Sequence, residues 1–192
     1  MKKVLMLLAV FGLTACFGGM TPPSKFYSLT PIQSSSDVFK SAKLSIGVEE
    51  VKVPVYLDRP QIVTRHDNQV ELNVSELNRW SEPLSVAMQR TIADNLAVYL
   101  PSASVKPSGF RREGFDYVVW VEVNKFDGSW NKTVDLSVWW SVFDKNGDVV
   151  LPKKANLSRP LGSSYDDLVK EDSDRIRELS LQIAQTLARL KT

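Results

Sequence analysis

The chain has 192 residues, of which 43% are hydrophobic and 24% are charged. That length favours one domain, which can bury roughly 70% of its unfolded surface and needs no disulfide bond or metal ion for stability. The 24 basic side chains exceed the 22 acidic ones by two, and Lys2 and Lys3 lie in a segment that we expect to be removed. Without these two lysines, the numbers of basic and acidic side chains are equal. This balance argues against nucleic acid or a strongly anionic lipid surface as the main ligand. A single His and a single Cys leave little for a zinc site or for Cys–His or Ser–His catalysis.

The N-terminus has the pattern of a secretory signal peptide. Positive charge at Lys2 and Lys3 is followed by the apolar residues 4–13 and then by small residues. This apolar run is too short to cross a hydrocarbon core, which takes about 20 residues. Cys16 follows at once, and the quartet Leu13-Thr14-Ala15-Cys16 resembles a bacterial lipobox, the signal for lipid attachment to the cysteine and cleavage before it.

The lipobox resemblance divides the chain into a signal peptide at residues 1–15, a lipidated tether at 16–25 and a domain at 26–192. Two or three acyl chains on Cys16 would hold the protein at a membrane permanently. In the sorting rule that accompanies the lipobox, an Asp after the cysteine retains a lipoprotein in the inner membrane. Phe17 occupies that place and therefore indicates the outer membrane, on its periplasmic face. An ordinary signal peptide followed by an unmodified cysteine is the alternative.

The first half of the mature chain has mostly strand patterns. Short apolar or alternating runs bounded by turn residues predict strands at 26–29, 44–48, 61–65 and 70–74, the last two forming a hairpin around His66. Residues 51–60 form an extended segment that Pro54 and Pro60 punctuate. Because proline cannot donate to a strand ladder, this segment belongs at a sheet edge or on the surface.

The first predicted helix begins after Trp80. Ser81 is a suitable N-cap, Pro83 fits the first turn, and Pro101 ends the helix. Its apolar residues recur at spacings of three to four and define one buried face: Leu84, Met88, Ile92, Leu96 and Tyr99. A strand is predicted next, at residues 103–106.

Three strands and a second helix complete the chain. Alternating patterns predict strands at 117–124, 134–143 and 149–157, the last two joined by a type I′ turn at Asn146-Gly147. The helix spans residues 165–191, with a seam at Ile176, Leu179, Ile183, Leu187 and Leu190 that suits packing on a sheet. The fold class is therefore α+β: a single domain of mainly antiparallel sheet with two main helices packed on one of its faces.

No arrangement of residues predicts catalysis, a metal or a cofactor. His66 lies between two apolar runs, where a solvated hairpin turn explains it. The acidic pairs have no companion acid or nucleophile at a telling spacing, so we interpret them as solvated surface; they are Glu49-Glu50, Asp166-Asp167 and Glu171-Asp172. We expect the chain not to be an enzyme.

Two tryptophans indicate a binding surface. Trp120 and Trp139 fall on the otherwise polar faces of their strands, so covering the other faces with helices turns both indoles outward. Tryptophan is a common anchor of protein interfaces. The alternative is that a loop or the N-terminal tether covers them, or that both strand faces are partly buried.

Several short sequence blocks, in the order in which they occur, resemble a known family, the ABC-type transport auxiliary lipoproteins typified by PqiC/YmbA. Besides the lipobox, these blocks are Phe26-Tyr27-Ser28-Leu29, the segment Val53-Pro54-Val55-Tyr56-Leu57-Asp58-Arg59-Pro60-Gln61-Ile62-Val63, and Arg79-Trp80-Ser81-Glu82-Pro83-Leu84. Ser81 departs mildly from the Ala that is usual in the family. The resemblance covers essentially the whole mature chain.

The resemblance implies an outer-membrane lipoprotein that is a homo-oligomer and partners an MCE-domain protein and its inner-membrane partner. Such systems move phospholipids or other apolar molecules between membranes and support envelope integrity. It also implies a fold like the N-terminal domain of TolB and no enzymatic activity. We predict a partner surface that includes Trp120 and Trp139 and the proline-stiffened segment with Val53, Pro54, Tyr56 and Leu57, since a stiff loop loses less entropy on binding.

Two other functions remain open at this point. A lipid-carrying lipoprotein would hold one lipid or acyl chain inside its own fold, which predicts an apolar cavity in the monomer. A structural assembly factor of another envelope complex would bind a barrel or cell-wall protein and carry no lipid.

Overall fold

Eight strands and two helices build the described part of this computed structural model, residues 22–40, 43–66, 70–109 and 113–190. Cys16, the predicted site of lipid attachment, lies outside these residues. The elements are β1 (Lys25–Tyr27), β2 (Ser45–Val48), β3 (Gln61–Arg65), β4 (Leu72–Trp80), α1 (Leu84–Tyr99), β5 (Ser104–Pro107), β6 (Tyr117–Gly128), β7 (Thr133–Asp144), β8 (Val149–Pro160) and α2 (Tyr165–Arg189).

The strands form a large and a small sheet. The large sheet has the order β5-β2-β6-β7-β8, in which β6, β7 and β8 are antiparallel and β2 runs parallel to both of its neighbours. The small sheet has the order β1-β4-β3, with β1 parallel and β3 antiparallel to β4. An isolated bridge between Arg65 and Ser129 joins the two sheets. The predicted α+β class is confirmed, and the parallel pairings make the sheets mixed.

The two helices pack side by side and share one core with the sheets. All five residues predicted for the face of α1 are at most 3% exposed. On α2, Ile176, Leu179, Ile183 and Leu187 are buried as predicted. Asn95 of α1 donates from Nδ2 to Ser180 Oγ of α2 at 3.3 Å, which joins the helices where both are buried.

The start of α1 differs from the prediction. The helix begins at Leu84 with Pro83 at its N-cap position and without a side-chain cap, so the prediction that Ser81 caps it is wrong. β4 extends through Trp80, and Ser81 instead donates its backbone N–H to the carbonyl of Tyr27 at 2.8 Å. Ser81 therefore holds β1 against the end of β4.

The turn between β7 and β8 also differs. A type I′ turn needs positive φ at both central residues. Gly147 has φ of 87°, but among the described non-glycine residues only Asn131 has positive φ. The loop is closed instead by Asp144, whose Oδ1 accepts from the backbone N–H groups of Asn146 and Asp148 at 2.8 and 3.0 Å. Gly147 is thus the left-handed residue of a longer loop, and the hairpin itself is as predicted.

Candidate functional site

One face of the large sheet carries the two tryptophans that the sequence singled out. Along β6 and β7 the side chains alternate, and Val121 and Trp140 point into the core, each 1% exposed. Trp120 and Trp139 lie on the opposite face of the sheet. Trp120 pairs with Ser141 and Trp139 with Glu122, so the two indoles are diagonal neighbours on adjacent strands.

Trp139 presents the larger free surface of the two indoles. It is 46% exposed, and its cross-strand neighbour on β8 is Lys154. The Lys154 ammonium lies 5.6 Å from the ring centroid, within the range of a cation–π contact. An exposed aromatic ring with a cation on one side can bury much more of its area against a partner.

Trp120 lines an open cleft of about 570 Å³. Lys52 lies over the indole, with its ammonium 5.4 Å from the ring centroid. Its backbone is held there by an isolated parallel β-bridge between Lys52 and Glu122 of β6. Three carboxylate side chains also line the cleft, together with Val53 and polar residues of α1; the carboxylates are those of Glu49, Glu50 and Asp58. The cleft therefore has one aromatic wall in a mainly polar lining.

Hydrogen bonds from α1 fix the floor of this cleft. Gln89 donates from Nε2 to the carbonyl of Val48 at 2.7 Å and to that of Ser108 at 2.9 Å. Ser85 donates from Oγ to the Glu50 carboxylate at 2.8 Å. These bonds attach the helix to the residues that follow β2 and β5, so the cleft keeps its shape without a ligand.

The proline-stiffened segment is divided between core and surface. Leu57 is 3% exposed and packs in the core, so its side chain offers no area to a partner. Val53 is half-buried and lines the Trp120 cleft, and Pro54 next to it is half-buried as well. Val55, which the sequence analysis did not single out, is 86% exposed. Its position at the tip of a turn that begins at Pro54 was the signal that could have identified it.

Tyr56 is held by a buried ion pair. Its hydroxyl donates to Asp127 Oδ2 at 3.1 Å, and Arg65 Nε lies 2.7 Å from Asp127 Oδ1. Burial raises the pKa of Tyr56, and the neighbouring Asp127 carboxylate raises it further. The Asp127 side chain is 1% exposed, so Tyr56 serves the packing of this loop on β6.

Polar groups cover the lower part of the same sheet face. Lys125 donates to Asp135 Oδ2 at 2.7 Å, and Ser158 donates to the other oxygen of that carboxylate. Burial alone would raise the pKa of Asp135, but the hydrogen bonds from Lys125 and Ser158 outweigh it and lower the pKa. This end of the face is therefore polar, whereas Val118 and Phe143 pair on the same face beyond the two tryptophans.

The described residues offer neither a metal cluster nor a spanning helix. No group of three or more His, Cys, Asp or Glu side chains in residues 22–40, 43–66, 70–109 and 113–190 is arranged to hold a metal ion. Within the same ranges, neither helix has the length and apolar character needed to cross a membrane.

Two solved structures share this fold at low sequence identity, and a third is a weaker match. A crystal structure of an uncharacterized protein has a TM-score of 0.72 at 22% identity and covers 86% of this chain and 99% of its own. A Xanthomonas campestris protein of family DUF330 has a TM-score of 0.72 at 14% identity and covers 85% of this chain and 95% of its own. The PelC dodecamer of Paraburkholderia phytofirmans matches with a TM-score of 0.44 at 13% identity, over 83% of this chain and 95% of its own.

The family comparison confirms the resemblance drawn from the sequence blocks. No curated protein matches the chain. The family model described as the ABC-type transport auxiliary lipoprotein component matches residues 27–184, which include both helices almost entirely and all strands after β1. The chain therefore belongs to the family of ABC-type transport auxiliary lipoprotein components.

Proposed function

We propose that this protein is the outer-membrane lipoprotein of an MCE-type intermembrane lipid transport system and supports envelope integrity by docking an MCE protein. The observation that carries the proposal is the exposed Trp139 beside the Trp120 cleft, in a member of a transport auxiliary family. A docking subunit needs a preformed contact surface and a membrane attachment. It needs no reacting side chain.

The geometry of the tryptophan face suits a protein partner. Hot spots of interfaces are enriched in Trp and lie where an aromatic ring can be fully desolvated. Trp139 stands on a central strand and the cleft beside Trp120 is held by Gln89, so little side-chain or loop entropy is lost on binding. Val53 extends this surface along the lining of the cleft.

The membrane attachment is proposed at Cys16 and is directly measurable. Trypsin cleaves after Lys25 and finds no earlier Lys or Arg in the mature chain, so it releases residues 16–25 as one peptide. We expect this peptide, from protein extracted with detergent, to carry a diacylglycerol on sulfur and an acyl chain on nitrogen by mass spectrometry. An unmodified peptide, or a chain that begins elsewhere, would refute the anchor.

Capture of the lipidated protein from gently solubilised envelopes tests the partner. We expect an MCE-domain protein in stoichiometric yield, together with its inner-membrane partner, and self-association of this chain into a homo-oligomer. Trp139→Ala should reduce capture at least tenfold, because truncation of a hot spot costs about 2 kcal/mol or more. Val38→Ala is the matched control, since Val38 is 50% exposed in the loop between β1 and β2, outside the large sheet.

Two other results would replace the proposal. Recovery of an outer-membrane barrel or a cell-wall protein would favour the structural assembly factor. Recovery of phospholipid with no protein partner would favour the lipid carrier. The carboxylates of Glu49, Glu50 and Asp58 in the 570 Å³ cleft weigh against the carrier, since an acyl chain would leave them poorly solvated.

A further inference from the structure

Phe26 is an exposed aromatic residue that the tryptophan face does not include. Its side chain is 67% exposed, more than that of Trp139 at 46%. It lies on β1, which is an edge strand of the small sheet and has β4 as its neighbour in the described structure. A large apolar ring at a sheet edge is a candidate contact surface.

The strand that carries Phe26 is firmly attached to the domain. The next residue, Tyr27, packs its ring against Tyr165 at the start of α2, with centroids 6.4 Å apart, and Tyr165 packs edge-on against Trp130 at 4.9 Å. The Tyr27 hydroxyl donates to Asn78 Oδ1 at 3.3 Å. Phe26 is therefore presented by a strand fixed on both of its neighbouring elements.

A cationic side chain lies beside the exposed ring. Phe26 pairs in register with Arg79 of β4, so the two side chains share one side of the small sheet. Lys25 and Tyr27 point to the other side, where both line a cleft with Asp166. An aromatic ring next to a cationic side chain matches the layer where lipid phosphates meet acyl chains.

The length of chain before β1 limits where this surface can be. Pro22 and Pro23 line a cleft together with Lys25, Tyr27 and Tyr165, so the described chain begins against the domain. Cys16 precedes Pro22 by six residues, which span at most about 20 Å when fully extended. A lipid on Cys16 thus keeps Pro22 within that distance of the membrane, and β1, which starts three residues later, within about 30 Å.

We propose that the β1 surface, formed by Phe26 and Arg79, rests on the lipid bilayer, with the Phe26 ring in the interfacial layer. This inference rests on the proposed lipid anchor at Cys16 and not on the identity of the protein partner. The contact would set the orientation of the domain, because one short tether alone leaves it free to rotate about its attachment point.

Site-specific labelling tests the orientation. Cys16 is the chain's one cysteine and lipidation blocks its sulfur, so Phe26→Cys can be labelled selectively with an environment-sensitive fluorophore. The lipidated variant is reconstituted in vesicles of phosphatidylethanolamine and phosphatidylglycerol that carry a nitroxide at the headgroup. Val55→Cys and Val149→Cys are the matched controls, since both positions are well exposed and distant in sequence from β1.

We expect the nitroxide to quench the label at residue 26 at least twofold more than the labels at 55 and 149. Equal quenching at the three positions, or none at 26, would overturn the proposal. A label at 26 that is already shielded without vesicles would indicate contact with residues 17–21 or with a second copy, and would overturn it too. The result is independent of MCE capture, so failure of one proposal is distinguishable from failure of the other.

Discussion

Asp172 lies on the buried face of α2, one turn from Leu168 and Ile176, with 2% of its surface exposed. Its Oδ1 has no hydrogen-bond partner. Burial raises the pKa of this carboxyl well above its usual range, and the charge of Asp127 raises it further, while Arg175 opposes the shift. Because the folded-state pKa is the higher one, this residue's contribution to stability is complete below the unfolded pKa of about 3.9 and is lost as pH rises through the folded pKa.

Asp172→Asn should therefore stabilise the protein at pH 8 and have little effect at pH 4. The substitution removes the cost of keeping or ionising a buried carboxyl, and each kcal/mol gained raises Tm by roughly 2–4 °C in a chain of this size. Thermal unfolding across that pH range measures the difference. Asp94→Asn, at an exposed position of α1, is the control. A Tm difference that does not grow with pH would contradict the assignment.

Tyr56→Phe tests whether Tyr56 is structural. Loss of the hydroxyl removes a hydrogen bond to the buried Asp127 carboxylate, which should lower the free energy of unfolding by about 1–2 kcal/mol. Denaturant unfolding measures the loss, and Val55→Ala at the neighbouring exposed position should change stability little. We expect partner capture to be unchanged by Tyr56→Phe in the folded protein; a loss of capture at full stability would place Tyr56 in the contact surface instead.

Sequence periodicity predicted where the two tryptophans point, but not what lies beside them. Alternation along a strand determines the face of Trp120 and Trp139 directly. The position of Lys52 over Trp120 depends on the backbone β-bridge between Lys52 and Glu122, which joins distant parts of the chain. Asp127 follows a register shift between Val123 and Lys125, and strict alternation cannot carry a prediction past such an irregularity.

At the scale of elements, apolar spacing predicted both helices better than the cap residues did. Ser164 caps α2 by accepting from the Asp167 N–H at 3.0 Å, whereas Ser81, an equally suitable residue, makes no cap. The difference is tertiary, because the Ser81 hydroxyl is hydrogen-bonded to the hydroxyl of Ser28 at 2.6 Å, just after β1. A local signal is overridden where a strand from elsewhere in the chain competes for the same group.

Gly128 allows the end of β6 to approach α2. A Cβ at this position would lie 2.6 Å from Leu161 Cδ2 and 2.8 Å from Leu168 Cδ1, closer than packed carbons come. Gly128→Ala should lower the free energy of unfolding by about 1–3 kcal/mol, as overpacking of a core does. Denaturant unfolding measures this, and Gly109→Ala, with open space around the added carbon, is the control. Equal effects of the two substitutions would contradict the close packing.

At the scale of the whole molecule, the sequence predicted the class of the fold but not its pairing. The hairpins of β3 with β4 and of β7 with β8 follow from short loops, and both are confirmed. The parallel pairings of β2 with β5 and β6, and of β1 with β4, join segments that are far apart in sequence. No local pattern encodes such partners. The likeness to the N-terminal domain of TolB stays a prediction.

The shared core predicts that the domain unfolds as one unit. Residues of both helices and of both sheets belong to one continuous cluster of buried side chains. A chain starting at Pro22 and lacking the anchor should therefore show a single thermal transition, with equal midpoints by far-ultraviolet circular dichroism and by tryptophan fluorescence. Two separate transitions would mean that the small sheet or a helix unfolds on its own.

β8 has consequences for how copies of this protein can meet. It is an edge strand of the large sheet, and its exposed residues include Pro152, Lys153, Lys154 and Pro160. Proline lacks the N–H that a new strand would need, and buried lysine charge is costly, so this edge resists growth into intermolecular ladders and fibrils. If the proposed lipid anchor concentrates copies of this protein on one membrane, this edge protects them from irreversible sheet extension.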